Sequence, residues 1–245
     1  MSIRNASLKA LQRPPRYVAE ESTAPTLLCD GDGTSRHTVR PDVERLAEVL
    51  GATTKINQYG EFLSVRCWCA QPPSFSPDLR ALKLLLPEAP EQIADPGEWL
   101  FLDTETTGLS GGSGTYPFLV GIASWEGGGL EIEQLFMREY SEERALLFAL
   151  RERIAEHPVV VTFNGKSFDW PLLETRYRMT RKISAPTPRA HLDFLHPARH
   201  LWRLRLGSVR LSELERHVLG WDRGADLLSG LIPTNLFRLL AGRPT

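Results

Sequence analysis

The stretch "EWLFLDTETTGLSGG", residues 98–112, runs from a strongly apolar segment straight into two carboxylates, Asp103 and Glu105. In a β-strand, residues i and i+2 point to the same face, so the two acids are predicted to share a face while Thr104 points to the other. Two carboxylates about 6 Å apart repel each other by about 3 kcal/mol at an effective dielectric constant of about 20. A bound divalent cation would remove that repulsion, and an exposed strand end leading into a loop would tolerate it. The stretch on its own leaves both interpretations open.

A third acid, Asp169, occurs in "VTFNGKSFDWPLL", residues 161–173. It follows a predicted buried strand and stands near the start of a predicted helix, so its carboxylate can point back toward the edge of the sheet. Asn164 and Gly165 fit a tight turn between the two elements. Asp169 is also suited to the first turn of the helix, where an acid interacts favourably with the helix dipole. Carboxylates without His or Cys nearby favour Mg²⁺ or Mn²⁺ over zinc, and these ions typically act on phosphate substrates.

The order of the predicted elements indicates an α/β fold. Three strands form an antiparallel meander, and a helix, a strand, a helix and a further strand follow it, which describes a mixed sheet with helices on its faces. Ser141 is predicted to cap the first of these helices, with Glu142 and Glu143 at the positive end of its dipole. The predicted strands are 98–106, 118–126, 130–140, 158–164 and 191–195, and the predicted helices are 141–157, 167–179 and 211–220.

Residues 1–95 are predicted to form an N-terminal extension that is partly irregular. Its first forty residues are rich in residue types that favour turns and loops. A helix (42–50), a strand (60–70) and a second helix (77–88) follow. These elements are too few for a separate core, so we expect them to pack on the domain formed by residues 96–245.

Composition and charge narrow the function only slightly. The chain has 245 residues, of which 42% are hydrophobic and 24% charged, and its net charge of -1 points to no particular partner. Residues 174–216, however, carry ten Lys or Arg against four Asp or Glu, a net charge of +6. Both a polyanionic partner and an arginine-rich solvated surface fit this segment.

Cysteine usage and apolar run length favour a reducing, aqueous compartment. Cys29, Cys67 and Cys69 lack the spacing of a metal site, and the last two are predicted to share one face of a strand as free thiols. No apolar run reaches the roughly 20 residues of a membrane span, and the first residues lack the apolar core of a signal peptide. We therefore expect a cytoplasmic protein without a membrane partner.

Four segments together resemble a known family. "FLDTETTGLSGGSGTYPFLVGIA", "VTFNGKSFDWPLLETRYRM", "HLDFLHPARHLWR" and "LSELERHVLG" are similar, in order and spacing, to the YprB-type ribonuclease H-like domain of the DEDD superfamily of 3′-to-5′ exonucleases. The resemblance extends over about residues 98–233 and implies a ribonuclease H-like mixed sheet.

The resemblance also implies a role for each matched residue. Asp103 and Glu105 match the metal ligands of the first motif, and Asp169 matches the acid of the second. Asp193 matches a position that is often acidic, and we expect it to support the site rather than to bind metal. The residues that match positions near the terminal nucleotide are Thr106, Thr107, Gly108, Asn164 and Phe168.

Enzymes of this kind use two divalent metal ions, here Mg²⁺ or Mn²⁺, to hydrolyse the terminal phosphodiester of a nucleic acid. The implied activity is a metal-dependent 3′-to-5′ exonuclease that releases nucleoside monophosphates from the 3′ end of DNA or RNA. Together with the resemblance, the basic segment predicts a channel for the nucleic-acid backbone. Its candidate residues are Arg176, Tyr177, Arg178, Arg181, Lys182, Arg199, Trp202, Arg203, Arg205 and Arg210.

One motif of the family is not found in the sequence. The last metal-binding Asp should follow shortly after a His-Asn pair, and "DLL", Asp226 to Leu228, lacks that pair. We therefore expect a domain that is incomplete at its C-terminus, with a two-metal site that lacks one carboxylate. The alternative to an exonuclease is a truncated or degenerate ribonuclease H-like domain that binds nucleic acid without cutting it. A residue outside the motif, or another chain, could also complete the site of an active enzyme. The histidines expected at the surface or at a strand edge are His191, His196, His200 and His217.

Overall fold

The fold is built around one mixed β-sheet. The computed structural model describes Ala47 and residues 51–69, 77–85, 87, 91–108 and 114–220. The strands are β1 (Thr53–Asn57), β2 (Gly60–Cys69), β3 (Trp99–Thr106), β4 (Pro117–Glu126), β5 (Gly129–Phe136), β6 (Val159–Thr162) and β7 (Ala190–Asp193). In space they follow the order β1-β2-β5-β4-β3-β6-β7, so β3 has a neighbour on each side.

Helices flank this sheet, and the predicted mixed α/β architecture is confirmed. The helices are α1 (Leu79–Leu85), α2 (Glu143–Glu156), α3 (Asp169–Thr180), α4 (Leu195–Leu206) and α5 (Leu211–Leu214). A π-helical turn, Glu215–Leu219, continues α5, and Gly220 ends it at a φ of 69°, as the predicted helix 211–220 requires. Short 3₁₀ turns occupy Glu91–Ala94, Pro96–Glu98 and Tyr140–Glu142.

The predicted meander and the parallel strands after it are both present. β3, β4 and β5 pair antiparallel in chain order, whereas β6 pairs parallel to β3 and β7 pairs parallel to β6. Phe118, Val120 and Ile122 of β4 are buried at alternate positions, which is the two-residue period of a strand. Every residue of β6 is buried, as is typical of a parallel strand covered on both faces.

The sheet also takes two strands from the part of the chain before residue 95. β2 pairs antiparallel with β5 from Leu63 to Cys69, which confirms the predicted strand at 60–70. β1 was not predicted, and α1 is shorter than the predicted helix 77–88. Cys67 and Cys69 are half-buried free thiols on β2, as predicted. Apart from Ala47, the predicted helix 42–50 and the first forty residues lie outside the described residues.

The two faces of the sheet pack against different helices. Leu100 and Val160 belong to a large apolar cluster that includes buried side chains of α2 and α3. Trp99 and Val159 belong to a smaller cluster that includes α1. Because neighbours along a strand point to opposite faces, α2 and α3 cover one face and α1 covers part of the other.

The start of α2 differs from the prediction. Glu142, not Ser141, occupies the N-cap position, and it makes no side-chain cap bond. Glu142 and Glu143 are buried and form ion pairs with Arg138 and Arg176. Glu143 does stand in the first turn of α2, as predicted, and ion pairing adds a second partner for both acids.

Helix α4 was missed by the sequence analysis, which ended the preceding strand at residue 195. Pro197 lies in its first turn, where the missing N–H of proline is tolerated.

Of the helices in the described part of the chain, none combines the length and the apolar character needed to cross a membrane.

Candidate functional site

The carboxyl end of β3 extends beyond its parallel neighbour. β3 pairs with β6 only from Trp99 to Phe101, whereas its pairing with β4 continues to Thr106. Asp103 and Glu105 therefore lie where the chain after β6 turns away, with Asp103 exposed and Glu105 partly buried. The register between β3 and β4 shifts after Glu105, and such an irregularity re-aims the side chains at the end of a strand.

The turn between β6 and α3 is held by Asp193 of β7. The carboxylate of Asp193 accepts the backbone N–H groups of Asn164 at 2.8 Å, Lys166 at 2.9 Å and Leu195 at 3.0 Å. Asn164 has a φ of 74°, a left-handed conformation that Asn adopts more readily than most residues. Asp193 thus fixes the loop that leads to Asp169.

Asp169 is the first residue of α3 and is buried. Thr104 Oγ1 donates a hydrogen bond to Asp169 Oδ1 at 2.5 Å, so the carboxylate does point back to β3. Gly165 allows the turn to approach the sheet closely, because a Cβ atom there would lie 2.5 Å from Thr162 Cβ. A side chain at position 165 would push the turn away from Thr162 of β6, and Asp169 would move with the turn.

Electrostatics separate the acids of this region into two kinds. Burial, and then repulsion from Asp103 and Asp169, raises the pKa of Glu105 above its ordinary value. Burial also raises the pKa of Asp169, and hydrogen bonds from Thr104 and the backbone offset only part of that effect. At Asp193, three backbone N–H groups outweigh burial and hold the pKa of the carboxyl below its ordinary value. Glu105 therefore lies within electrostatic range of both Asp103 and Asp169, while the carboxylate of Asp193 is occupied by the turn.

A turn at residues 106–108, the last described residues before position 114, lies at the same end of the sheet. Thr106 Oγ1 donates to the backbone oxygen of Gly108 at 2.9 Å. The N–H of Thr107 donates to the backbone oxygen of Tyr116 at 3.0 Å, and the N–H of Tyr116 donates back to Thr107 Oγ1 at 3.0 Å. The structure therefore places Thr106, Thr107 and Gly108 directly beyond Glu105.

Asn164 and Phe168 lie in the turn before α3. The ring of Phe168 is 64% exposed and immediately precedes Asp169 in the chain. An exposed aromatic ring at such a position is available for stacking on a nucleobase. The other predicted site residues thus gather around the same strand end as the acids.

A metal ion would suit this end of the sheet by donor chemistry and charge. Asp103, Glu105 and Asp169 offer hard carboxylate oxygens, and a cation would relieve the repulsion that raises the pKa of Glu105. Among the described residues, however, no group of three or more His, Cys, Asp or Glu side chains is arranged to hold a metal ion. One oxygen of Asp169 is engaged by Thr104. The described residues therefore supply suitable ligands without a complete coordination sphere.

Comparison with known proteins places this sheet in a family. A family model described as the RNase_H superfamily matches residues 100–239, which is more than half of the chain. The chain belongs to the RNase_H superfamily. The "Uncharacterized protein YprB" of Bacillus subtilis (strain 168) is 36% identical over 141 residues, which cover 57% of this chain and 34% of that relative. The chain thus spans about a third of the length of the curated relative that it matches.

Membership of the RNase_H superfamily agrees with the sheet topology and confirms the predicted ribonuclease H-like fold. The matched region includes Asp222 and Asp226, which lie outside the described residues. The predicted absence of the last metal-binding motif therefore concerns residues outside the described part of the chain.

The predicted basic channel needs correction at two positions. Arg176 and Tyr177 are both buried, so neither lines a surface channel. Arg176 pairs with Glu143, and the hydroxyl of Tyr177 donates to the backbone oxygen of Leu147 at 2.7 Å. Together with Leu173, these positions follow helical spacing on the core side of α3, and that pattern was available in the sequence.

The histidines are placed as predicted. His196, His200 and His217 are exposed, and His191 lies on β7, the edge strand of the sheet. Burial, together with the charge of Lys166, lowers the pKa of His191 to about 4. His191 is therefore neutral over the physiological pH range.

Thr104 is the site residue that the sequence analysis did not identify. Strict alternation along β3 assigns Thr104 to the face opposite the two acids, and only its contact with Asp169 shows its part in the site. The signal available in the sequence is the position of Thr104, a residue with a hydroxyl group that stands between the candidate ligands Asp103 and Glu105.

Proposed function

We propose that this chain is a metal-dependent 3′-to-5′ exonuclease. The observation that carries the proposal is the position of Glu105, whose partly buried carboxylate lies within electrostatic range of Asp103 and Asp169. Repelling acids cost stability, and groups with such perturbed pKa values concentrate at functional sites. Membership of the RNase_H superfamily supports a nucleic acid as the substrate.

Asp103, Glu105 and Asp169 are the proposed ligands of Mg²⁺ or Mn²⁺. When bound, the metal supplies Lewis acidity that activates water and stabilises the departing oxygen. Thr104 orients Asp169 through its hydrogen bond, and Asp193 keeps the turn before α3 in place through three backbone N–H groups.

The terminal nucleotide is proposed to lie between the turn after β3 and the turn before α3. Phe168 offers an exposed ring for stacking on a base, and Asn164 lies in the same turn. Thr106, Thr107 and Gly108 border the acids from the other side. Hydrolysis consumes one water, breaks the bond between phosphorus and the 3′ oxygen of the preceding nucleotide, and releases a nucleoside monophosphate.

The proposal is tested with single-stranded DNA and RNA labelled at either end and incubated with the purified chain in Mg²⁺, Mn²⁺ or EDTA. We expect metal-dependent loss of the label from the 3′ end before the 5′ end. Asp103→Asn and Asp169→Asn should each lower the rate at least about 100-fold, because even the indirect partners of metal ligands typically contribute 10- to 100-fold. The control Glu152→Gln, an exposed acid on α2, should leave the rate unchanged.

A second candidate function is binding of nucleic acid without hydrolysis. It is favoured by the absence, within the described residues, of a three-residue group that could hold a metal ion. Binding in EDTA without any release in either metal, even at high protein concentration, would support this function and contradict the exonuclease proposal.

A further inference from the structure

A basic cleft lies between α4 and the turn after β6. Its volume is about 500 Å³, and its lining includes Phe163 and Asn164 from that turn. Arg199 and Arg203 of α4 and Arg210, which precedes α5, complete it, and these three residues are called the arginine cleft below. None of the described residues that line the cleft is acidic.

The local sequence brings the three arginines together. Arg199 and Arg203 are four residues apart on α4 and so lie on one face of the helix, about 5–6 Å apart at their Cβ atoms. Gly207 ends α4 with a φ of 70°, a conformation that favours glycine, and its N–H donates to the backbone oxygen of Arg203 at 2.9 Å. This reversal returns Arg210 to the same side of the helix as the other two.

Within the described ranges of the chain, the arginines of the cleft are not paired with acids, unlike several other arginines of the fold. Arg66 and Arg138 each form an ion pair with a neighbouring carboxylate. In the part of the chain that the structure describes, no carboxylate lies within ion-pair distance of Arg199, Arg203 or Arg210.

Helix electrostatics do not account for the whole cleft either. The C-terminal end of a helix dipole favours a cation in its last turn, which explains Arg203 but not Arg199, one turn earlier. Arg210 stands at the start of α5, where the dipole disfavours a positive charge. Binding of an anionic ligand explains why all three arginines lie in the same cleft.

The arginine cleft adjoins the candidate site through one shared residue. Asn164 lines the cleft, and its backbone N–H is held by Asp193 in the turn that leads to Asp169. Phe163 adds a partly exposed ring to the lining, which suits a base between charged phosphates. A cleft of about 500 Å³ has room for a short part of one strand and is too small for a duplex.

We propose that the arginine cleft binds the phosphates of a single nucleic-acid strand, upstream of the 3′-terminal nucleotide. The inference rests on the proposed function for the direction of the strand, since the 3′ end would lie at Asp103, Glu105 and Asp169. Binding to the cleft itself requires only the three guanidinium groups, which recognise phosphate through paired N–H donors.

The test measures binding of a fluorescent 20-nucleotide strand in EDTA over a range of salt concentrations. The triple variant Arg199→Gln, Arg203→Gln, Arg210→Gln should bind about 10- to 100-fold more weakly at low salt. Its plot of log affinity against log salt should be shallower by about 2, because each contact with a single strand contributes about 0.7 to the slope.

The matched control removes the same charge from three exposed arginines outside the predicted basic channel, Arg80→Gln, Arg144→Gln and Arg189→Gln. It should bind within about threefold of the parent chain, with nearly the same salt slope. Equal weakening of the two triple variants, or no binding by the parent chain, would overturn the proposal. Competition by polyglutamate as strong as competition by an unlabelled strand would assign the cleft to an acidic polypeptide and would overturn it as well.

A dinucleotide substrate separates failure of this inference from failure of the proposed function. A dinucleotide carries no upstream phosphates, so the cleft variant should hydrolyse it at the parent rate while its KM for the 20-nucleotide strand rises at least about 10-fold. An equal loss on both substrates would show that the arginines act on the site or on the fold, and would contradict the cleft assignment. Because binding is measured in EDTA, the test of the arginine cleft does not depend on whether the chain hydrolyses nucleic acid.

Discussion

The buried acids of β5 and α2 differ from the acids at the end of β3 in what lies beside them. Glu133 of β5 contacts Arg66, and Glu142 and Glu143 contact Arg138 and Arg176. Burial still raises the pKa of Glu142, but the arginine beside it opposes that effect.

Among the influences on the pKa of Glu105 and Asp169 there is no such cation. Every influence that shifts the pKa of Glu105, namely burial and the charges of Asp103 and Asp169, raises it. Asp169 is stabilised by a hydroxyl and by backbone N–H groups, and its pKa is raised as well.

This contrast separates acids that stabilise the fold from acids that are suited to bind a ligand. A buried carboxylate paired with arginine has its charge balanced within the chain, so its loss affects stability. A carboxylate whose neighbours repel it is balanced only by something that binds, so its loss affects function. Substitutions at the two regions should therefore differ in kind as well as in size.

The largest expected effect is at the buried pair Glu143 and Arg176. Arg176→Met leaves the carboxylate of Glu143 buried without its partner, and should lower the free energy of unfolding by about 3–5 kcal/mol. Urea denaturation measures this loss. The double variant Glu143→Leu, Arg176→Met should recover most of it, because no unpaired charge then remains inside the protein.

The neighbouring pair on the surface of α3 is the matched control. Glu174 and Arg178 form an ion pair whose side chains are 42% and 74% exposed. Arg178→Ala should change the free energy of unfolding by only about 0–1 kcal/mol. A loss at Arg176→Met no greater than at Arg178→Ala would contradict the structural role of the buried pair.

A medium effect on the free energy of unfolding is expected at two glycines that lie close to other atoms. Gly165 stands in the turn before Asp169, and Gly129 stands on β5, the strand that carries Glu133. A Cβ atom at Gly165 would lie 2.5 Å from Thr162 Cβ, and one at Gly129 would lie 2.5 Å from the backbone oxygen of Cys69. Either alanine variant should lower the free energy of unfolding by about 1–3 kcal/mol, measured by thermal or urea denaturation.

Only Gly165→Ala should also impair the proposed nuclease activity, because Gly165 positions the turn before Asp169. Gly114→Ala is the control, since no atom lies within 4 Å of a Cβ placed there. Equal loss of activity in the Gly165 and Gly129 variants would show that activity follows global stability rather than the position of Asp169.

The smallest expected effect is a difference in pH dependence. Burial lowers the pKa of His191 from its ordinary 6.5 to about 4, so between these values the unfolded chain binds a proton that the folded chain does not. Stability should fall as the pH is lowered through this window. His191→Gln should remove that part of the fall in urea denaturation measured from pH 7 to pH 4.

Glu126, an acid of β4 that is also paired with an arginine, should respond in a different pH window. Burial acts to raise its pKa, but Arg153 and hydrogen bonds from His157 and Ser124 outweigh burial and hold it below its ordinary 4.5. The resulting stability is present above pH 4.5 and is lost as the pH falls below it. A Glu126→Gln variant that changed the profile between pH 6.5 and 4.5 would contradict this separation.

Much of the sheet could be predicted from local patterns, and the exceptions have physical reasons. β4 shows its alternation in the sequence because Phe118, Val120 and Ile122 face one apolar cluster. β1 shows none, because four of its five residues are exposed, and it is held by the ladder with β2 and by a hydrogen bond from Asn57 to the backbone oxygen of Ala145. α4 carries exposed leucines, Leu201 and Leu204 among them, so its apolar residues do not mark a single face.

The acids of the site could be named from their motifs, but their surroundings could not. The contact of Thr104 with Asp169 joins residues 65 positions apart, and it depends on the short pairing of β3 with β6. The pairing of Glu143 with Arg176 spans 33 positions, so no local pattern separated these charges from solvated ones. Three-dimensional contact, not composition, decides which charges are balanced.

The central claim is that the acids at the end of β3 repel one another until a divalent cation binds. The most direct measurement is thermal denaturation of the parent chain, Glu105→Gln and the control Glu152→Gln, each in EDTA and in Mn²⁺. In EDTA, Glu105→Gln should melt above the parent chain, because it removes a buried, repelled charge. Mn²⁺ at about 100 times its Kd should stabilise the parent chain and the control by about 2.7 kcal/mol and leave Glu105→Gln nearly unchanged. A lower melting temperature for Glu105→Gln in EDTA, with no shift of the parent chain in Mn²⁺, would contradict the account.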